Sequence, residues 1–288
     1  ENLMKKSALV MGFDNSVIAR ESILLLINEG YYVVAGYEGD SINREKFVED
    51  NGISSEIEFA QINYSSGETV NTFISQVSNR KYTAIVNCYA TLAETADKGL
   101  RHEFFDFDYV EFSRVMNANV AAIAAIVIGL KDNIVENGCI VNVTSSAAFE
   151  GAFATISYNA SKAAIENLSK SLANNLGPYR NIRVNCVAPG WIPQSESVVE
   201  GNIVELANKC TPISQYGKAK DVAKAVLSLI DNEYANETTL KIDGGITSSY
   251  MMYLLESADL SGHETKEVMN QLIKLVDSVK SSVKKEIN

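Results

Sequence analysis

Tyr158 and Lys162 stand four residues apart in the stretch "ISYNASKAAIENLSKSLANNL", and Ser145 precedes the tyrosine at the end of "GCIVNVTSS". On a helix, a spacing of four puts the phenol and the ammonium on one face. A neighbouring ammonium favours the phenolate, so Lys162 is expected to lower the Tyr158 pKa. That makes Tyr158 a candidate general acid/base near neutral pH. Ser145 closes a strand and can hold a carbonyl oxygen while Tyr158 gives that oxygen a proton. The chemistry these types suit is carbonyl reduction, or alcohol oxidation in reverse, with the hydride carried by a nicotinamide. A Tyr and a Lys at this spacing arise in any long helix. It is the serine-ended strand just before them that makes the spacing informative.

The elements that position these residues alternate along the chain. Short β-rich runs, "SALVMG", "YYVVAG", "EIEFAQI", "YTAIVNCYA", "GCIVNVTSS", "IRVNCVAPG" and "TTLKIDGG", are separated by helical patterns. The first helix reads from Ser16 and ends at Gly30, a long one covers about Tyr109 to Asn133, and the helix of Tyr158 closes at Gly177. Continuous apolar strands point to burial on both faces, hence a parallel sheet between helix layers. The expected fold is α/β: a doubly wound, mostly parallel, seven-stranded Rossmann-type sheet with helices on both faces. Residues 1–255 form that domain. Residues 256–288 form a C-terminal amphipathic helix, with Met269, Leu272, Val276, Val279 and Val283 on one stripe.

With these residues in place, the sequence resembles the short-chain dehydrogenase/reductase family, and within it the 3-oxoacyl-carrier-protein reductases, from about Ser7 to about Ser249. Tyr158, Lys162 and Ser145 match the family's catalytic residues. "MNANVAA" matches the segment carrying a fourth, Asn119, which in the family helps hold a water linking the lysine to solvent. "IRVNCVAPGWI" matches the stretch flanking the nicotinamide and brings in Pro189, Gly190 and Ile192. The resemblance implies that Tyr158 and Lys162 also hold the nicotinamide ribose, and that the chain is a homo-oligomer, dimer or tetramer, joined through its long helices. It further implies a small-molecule or carrier-protein-bound carbonyl as substrate, a 3-oxoacyl thioester being a fair candidate.

The phosphate loop departs from the family. In "ALVMGFDNSVIAR" Gly12 survives, but Met11, Ser16 and Ile18 stand where the family has Thr and two further glycines. Those glycines allow backbone approach to the pyrophosphate and close helix–strand packing, so Ile18 is expected to push the helix outward or bend the loop. Asp14, Asn15 and Ser16 are good N-cap types, so free N–H groups at Asn15, Ser16 and Val17 still point toward a phosphate. Asp14 would repel it if turned inward. After strand four, Asn87 is kept but Tyr89 is a bulky intruder near the adenine ribose. Asn63 takes the place of an Asp that contacts adenine, and its amide oxygen is able to accept the same bond. The acid expected at Gly36 for an NAD-type ribose is missing, which leans toward NADP(H) over NAD(H). The arginine expected beside it is Tyr37, while Glu38 is within reach of a ribose hydroxyl if the loop shifts. After Gly190 the usual threonine is absent, with Gln194 in its place and Ser195 one residue on.

Composition excludes several classes. A net charge of -11 argues against a surface that tracks nucleic acid. No apolar run is long enough to span a bilayer, and no signal-peptide pattern opens the sequence. Cys88, Cys139, Cys186 and Cys210 lack metal or redox spacing, and with only two histidines no metal site is expected. A cytoplasmic protein is the reading. Three functions follow from the residues: a nicotinamide-dependent carbonyl reductase, a non-catalytic subunit with a degenerate cofactor loop that acts by assembling with a partner, or non-redox proton chemistry at Tyr158.

Overall fold

The computed structural model of the protein describes residues 6–39, 42–93, 103, 107–150, 155–193, 211–248, 270 and 274. Of the C-terminal helix expected over 256–288 only Asn270 and Lys274 are described, both helical, and Gln194, Ser195 and Cys210 lie outside the described residues.

Seven strands form one sheet: β1 (Ser7–Met11), β2 (Tyr32–Tyr37), β3 (Ile57–Gln61), β4 (Tyr82–Asn87), β5 (Ile134–Val143), β6 (Arg183–Pro189) and β7 (Thr239–Ile242). Their order is β3-β2-β1-β4-β5-β6-β7, and every neighbouring pair is parallel. The chain therefore winds outward from β1 to β3, returns to the other side of β1, and winds outward again. The reversal lies between β1 and β4, and a crevice opens there at the carboxyl ends of the strands.

Alternation along β1 sets the two layers. Ala8 and Val10 join a core with Ile18, Ile23 and Leu26 of α1 (Val17–Asn28) and Val222, Val226 and Leu229 of α6 (Ala219–Asp231). Phe47 and Val48 of α2 (Ile42–Asn51) pack on the same side. Leu9 and Met11 join the opposite core, with Val70 and Phe73 of α3 (Gly67–Val77), Ile123 and Ile126 of α4 (Tyr109–Gly129), and Ile165 and Leu172 of α5 (Ile156–Arg180). Cys88, Cys139 and Cys186 are free thiols buried in these layers.

Two boundaries differ from those read in the sequence. The long helix stops at Gly129, because Ile134 pairs with Tyr82 and draws the chain into β5 before a bulge around Asn137, where φ is 64°. Helix α5 runs through Pro178 to Arg180. Asn181, with φ of 56°, takes the left-handed capping position expected of Gly177. Helix α4 is long and apolar enough to cross a membrane by length and composition. It is a core-layer helix, whose Val115, Ile123, Ile126 and Val127 are buried.

Candidate active site and cofactor crevice

The residues expected to handle the proton, Ser145, Tyr158 and Lys162, meet where β5 ends and α5 begins. Ser145 follows β5 in an extended conformation and its Oγ accepts the Ala147 N–H at 3.2 Å. Its hydroxyl also shares a hydrogen bond with the Tyr158 phenol. One helical turn on, Lys162 is buried, with Nζ 5.6 Å from the centre of the Tyr158 ring. Lys162 Nζ donates to the Val143 carbonyl at 2.9 Å. Burial lowers its pKa to about 8, against the pull of Cys88, Cys186 and Glu166. Glu166 is fixed in turn by the hydroxyls of Thr144, at 2.5 Å, and Thr239, at 2.7 Å.

Lys162 does not depress the Tyr158 phenol, as the sequence suggests it should. Burial raises the Tyr158 pKa, and Ser145 is the group that opposes the rise. Lys162 Nζ is directed at the Val143 carbonyl instead, and burial favours the protonated form of the Tyr158 phenol.

Asn119 reaches the site through a π-turn, Asn117–Ala121, inside α4, which turns its side chain inward. Its Oδ1 accepts the Thr91 N–H at 2.8 Å, and its Nδ2 donates to the Thr91 carbonyl and to Ser161 Oγ, both at 2.9 Å. Ser161 Oγ then donates to the Tyr158 carbonyl at 2.7 Å. Both amide protons and the amide oxygen are engaged by protein groups, so Asn119 ties the loop after β4 to the helix that carries Tyr158 and Lys162.

The phosphate loop is rebuilt rather than widened. Ile18 does not push α1 outward. It enters the core, and the loop bends. Phe13 buries its ring edge-on to Phe47 and Phe59, each 5.1 Å away between centroids, and its N–H donates to the Gly36 carbonyl at 3.1 Å. Arg20 Nη1 holds the Phe13 carbonyl at 2.8 Å. Ser16 is the N-cap of α1, its Oγ accepting the Ala19 N–H at 3.4 Å, with Val17 the first helical residue and Asn15 exposed. Asp14 turns toward β2, where Oδ2 accepts the N–H groups of Glu38 at 2.8 Å and Gly39 at 2.9 Å. Gly12 is required here by the chain itself. Its φ is +93°, and an added Cβ would lie 2.7 Å from the Tyr89 nitrogen.

The other expected cofactor residues are largely spent on local structure. Asn63 Oδ1 accepts the Ser65 N–H at 2.9 Å, a turn of its own rather than a bond to a base. Asn87 Oδ1 accepts the Tyr89 N–H at 3.1 Å. The Tyr37 ring lies under the Arg44 guanidinium, 3.3 Å from its centroid. Gly190 donates its N–H to the Ile242 carbonyl at 3.0 Å, and a Cβ there would lie 2.8 Å from Asp243 Cα. Pro189 ends β6, and Ile192 packs on the α1 side of the core.

Sequence reasoning missed Tyr64. It follows β3, and its ring stacks on Tyr89 with centroids 3.6 Å apart and planes 20° from parallel. Each tyrosine is 2% exposed. Glu38 Oε1 accepts the Tyr64 N–H at 3.1 Å, and the same carboxylate bonds the Tyr89 hydroxyl and Asn15. Burial raises the Glu38 pKa while these bonds hold it down. The available signal was a glutamate and two tyrosines, Glu38, Tyr64 and Tyr89, just past the carboxyl ends of β2, β3 and β4. At the Lys162 end the donors suit a nicotinamide ribose, since among the described residues one of the three ammonium protons is spent, on Val143. At the other end, the buried Tyr64–Tyr89 pair and the Glu38 carboxylate fill the edge of the sheet beyond β2, β3 and β4. Among the described residues, no group of three or more His, Cys, Asp or Glu is placed to hold a metal ion.

Residues 13–247 match the profile of a family described as enoyl-(acyl carrier protein) reductase. The chain belongs to the short-chain dehydrogenase/reductase family. This short-chain reductase is an oxidoreductase by that kinship, and its relatives carry such names. It is 28% identical to carbonyl reductase family member 4 of Danio rerio over 84% of its length and 98% of the relative's. It is also 28% identical to 3-oxoacyl-(acyl-carrier-protein) reductase FabG of Thermotoga maritima, over 80% of its own length and 94% of the relative's. Among solved structures, a short-chain dehydrogenase/reductase from Serratia marcescens superposes with a TM-score of 0.76 at 22% identity, covering 86% of this chain and all of that one. BdcA, solved in complex with NADPH, superposes with a TM-score of 0.72 at 19% identity, over 83% of this chain and 93% of that one.

Proposed function

We propose that this short-chain reductase reduces a ketone to an alcohol, or runs the reverse reaction, and that its substrates are 3-oxoacyl thioesters, free or on a carrier protein. The observation that carries the reading is the meeting of the Ser145 hydroxyl, the Tyr158 phenol and the Lys162 ammonium at one strand end. Ser145 orients the carbonyl oxygen. Tyr158, protonated because it is buried, delivers its proton to that oxygen as charge builds there. Lys162 supplies positive charge behind the phenol and hydrogen-bond donors for a ribose. A nicotinamide, when bound, supplies the hydride. NADP(H) is favoured over NAD(H), because Gly36 gives β2 no acid to hold an unphosphorylated ribose and Arg44 brings a cation to Tyr37. The relative from Thermotoga maritima, named a 3-oxoacyl-(acyl-carrier-protein) reductase, supports the substrate class, and the NADPH complex of BdcA supports the cofactor.

The test is turnover of a short 3-oxoacyl thioester by the purified chain with NADPH and with NADH, beside Ser145→Ala. Loss of the carbonyl-orienting hydroxyl is expected to lower kcat by about 10²–10³-fold, as for other donors to a developing oxyanion. Absence of turnover with either nucleotide, or full turnover in Ser145→Ala, sinks the reading.

A second reading, assembly without catalysis, draws on the tyrosines that fill the adenosine end. It predicts no nucleotide binding in any variant that keeps the fold. On either reading the chain is a homo-oligomer, and Tyr109, Val110 and Ile128 of α4 are exposed apolar residues available for such contact. Sedimentation at micromolar concentration is expected to give a dimer or tetramer. Monomer alone would count against it.

A further inference from the structure

Past the carboxyl ends of β2, β3 and β4, the edge of the sheet beside the strand-order reversal is closed by the chain's own groups. Tyr89, from the loop after β4, lies flat against Tyr64, from the loop after β3, at a separation that leaves no room for a base between the rings. Both are as buried as core residues, although each stands at a loop on the ligand edge of the sheet. The backbone donors of that edge are also taken. Glu38 accepts the Tyr64 N–H, and Asp14 accepts the N–H groups of Glu38 and Gly39. A planar aromatic pair with a carboxylate on its rim occupies the volume and the hydrogen-bonding groups that an adenosine would use.

We infer that Tyr89, seated on Tyr64 and tied to Glu38, is a latch over the adenosine end of the crevice, and that it sets the affinity of this short-chain reductase for whole dinucleotides. The inference rests on the proposed nicotinamide chemistry only in naming the ligand. Opening the latch is a side-chain event. Tyr89 has two rotatable torsions, and its hydroxyl is held by the Glu38 carboxylate. The backbone around it is held independently by Asn87 and by Thr91 on Asn119. Any dinucleotide has to displace the ring and forfeit the stack and the carboxylate bond, so its apparent affinity is lowered by the fraction of chains that are open. A ligand that fills only the nicotinamide end meets no such penalty.

The experiment is calorimetric titration of the folded chain and of Tyr89→Gly with four probes: NADH, NADPH, AMP and nicotinamide mononucleotide. Tyr64→Val, which removes the other half of the stack, serves as the second variant in case Tyr89→Gly loses the fold by circular dichroism. In the variant, both dinucleotides and AMP are expected to bind at least fivefold more tightly, and the mononucleotide equally in both proteins. A smaller gain for the dinucleotides and AMP, no change, or a loss overturns the latch. The two readings fail separately. If nicotinamide mononucleotide binds neither protein while AMP and both dinucleotides gain at least fivefold in the variant, the latch stands and the nicotinamide reading falls.

Discussion

Replacing Tyr158 by Phe is expected to lower kcat for a ketone by about 10²–10⁴-fold, the range a positioned general acid contributes. The substitution deletes one oxygen and keeps the ring, which packs beside the Lys162 ammonium. Ser145 loses its phenol partner but keeps the Ala147 N–H, so its position is retained. The loss should therefore fall on kcat, with KM for the ketone and the melting temperature little changed. Steady-state kinetics at saturating nucleotide, with a thermal melt on the same preparation, separate these outcomes. The direction of the Tyr158 pKa adds a second readout. Because burial holds the phenol protonated in the free chain, the reductive direction should keep its rate through neutral pH and lose it only on the alkaline side, as the acid is titrated. A Tyr158→Phe variant that still turns over removes the phenol from the mechanism and leaves Ser145 or a solvent proton in its place.

The sheet was legible because its strands are apolar without alternation, a pattern that only burial on both faces produces. Tyr158, Lys162 and Ser145 were legible because their placement depends on one strand end and one helix, both short-range features. What the sequence hid was set by contacts across the sheet. The Glu38 and Asp14 bonds join groups 26 and 24 residues apart, and Tyr64 meets Tyr89 from a different strand end. A residue-by-residue reading of the loop after Gly12 asks which glycines are missing. The structure asks instead what fills the space, and Phe13, drawn toward Phe47 and Phe59, answers for the bent loop. The expected long helix overran Gly129 for a similar reason. Its local pattern is helical, but pairing of Ile134 with Tyr82 wins. Asn119 shows the opposite case. Its location was legible, and its bonds to Thr91 and Ser161 show a positioning residue, a role that residue type alone does not reveal.

Lys162→Met is expected to stabilise the fold while abolishing most of the activity. The ammonium is buried, and burial, opposed by Cys88, Cys186 and Glu166, brings its pKa from 10.5 to about 8. A shift of that size corresponds to roughly 3 kcal/mol of unfavourable burial at neutral pH, at about 1.4 kcal/mol per unit. Methionine fills a similar volume without a charge. It forfeits the bond to the Val143 carbonyl, worth about 1 kcal/mol net. The remainder is a gain of about 1–2 kcal/mol, seen as a rise of roughly 2–8 °C in Tm for a domain of this size. The pH dependence fixes the cause. Below pH 8 the lysine is protonated in both states, and the folded chain bears the whole penalty. Between about 8 and 10.5 the unfolded chain holds a proton that the folded chain has released, so this group's contribution to stability rises with pH. The advantage of Lys162→Met over the parent should thus be full at pH 7 and shrink toward pH 10. Denaturant unfolding of both proteins at the two pH values measures it, and an advantage that stays constant assigns the gain to packing instead. Turnover in the same variant should fall by about 10²-fold or more, because the ammonium that would hold the nicotinamide ribose beside Tyr158 is gone. The strain of keeping an ammonium dry is then the cost of holding it where the proton moves, a trade between stability and activity confined to one side chain.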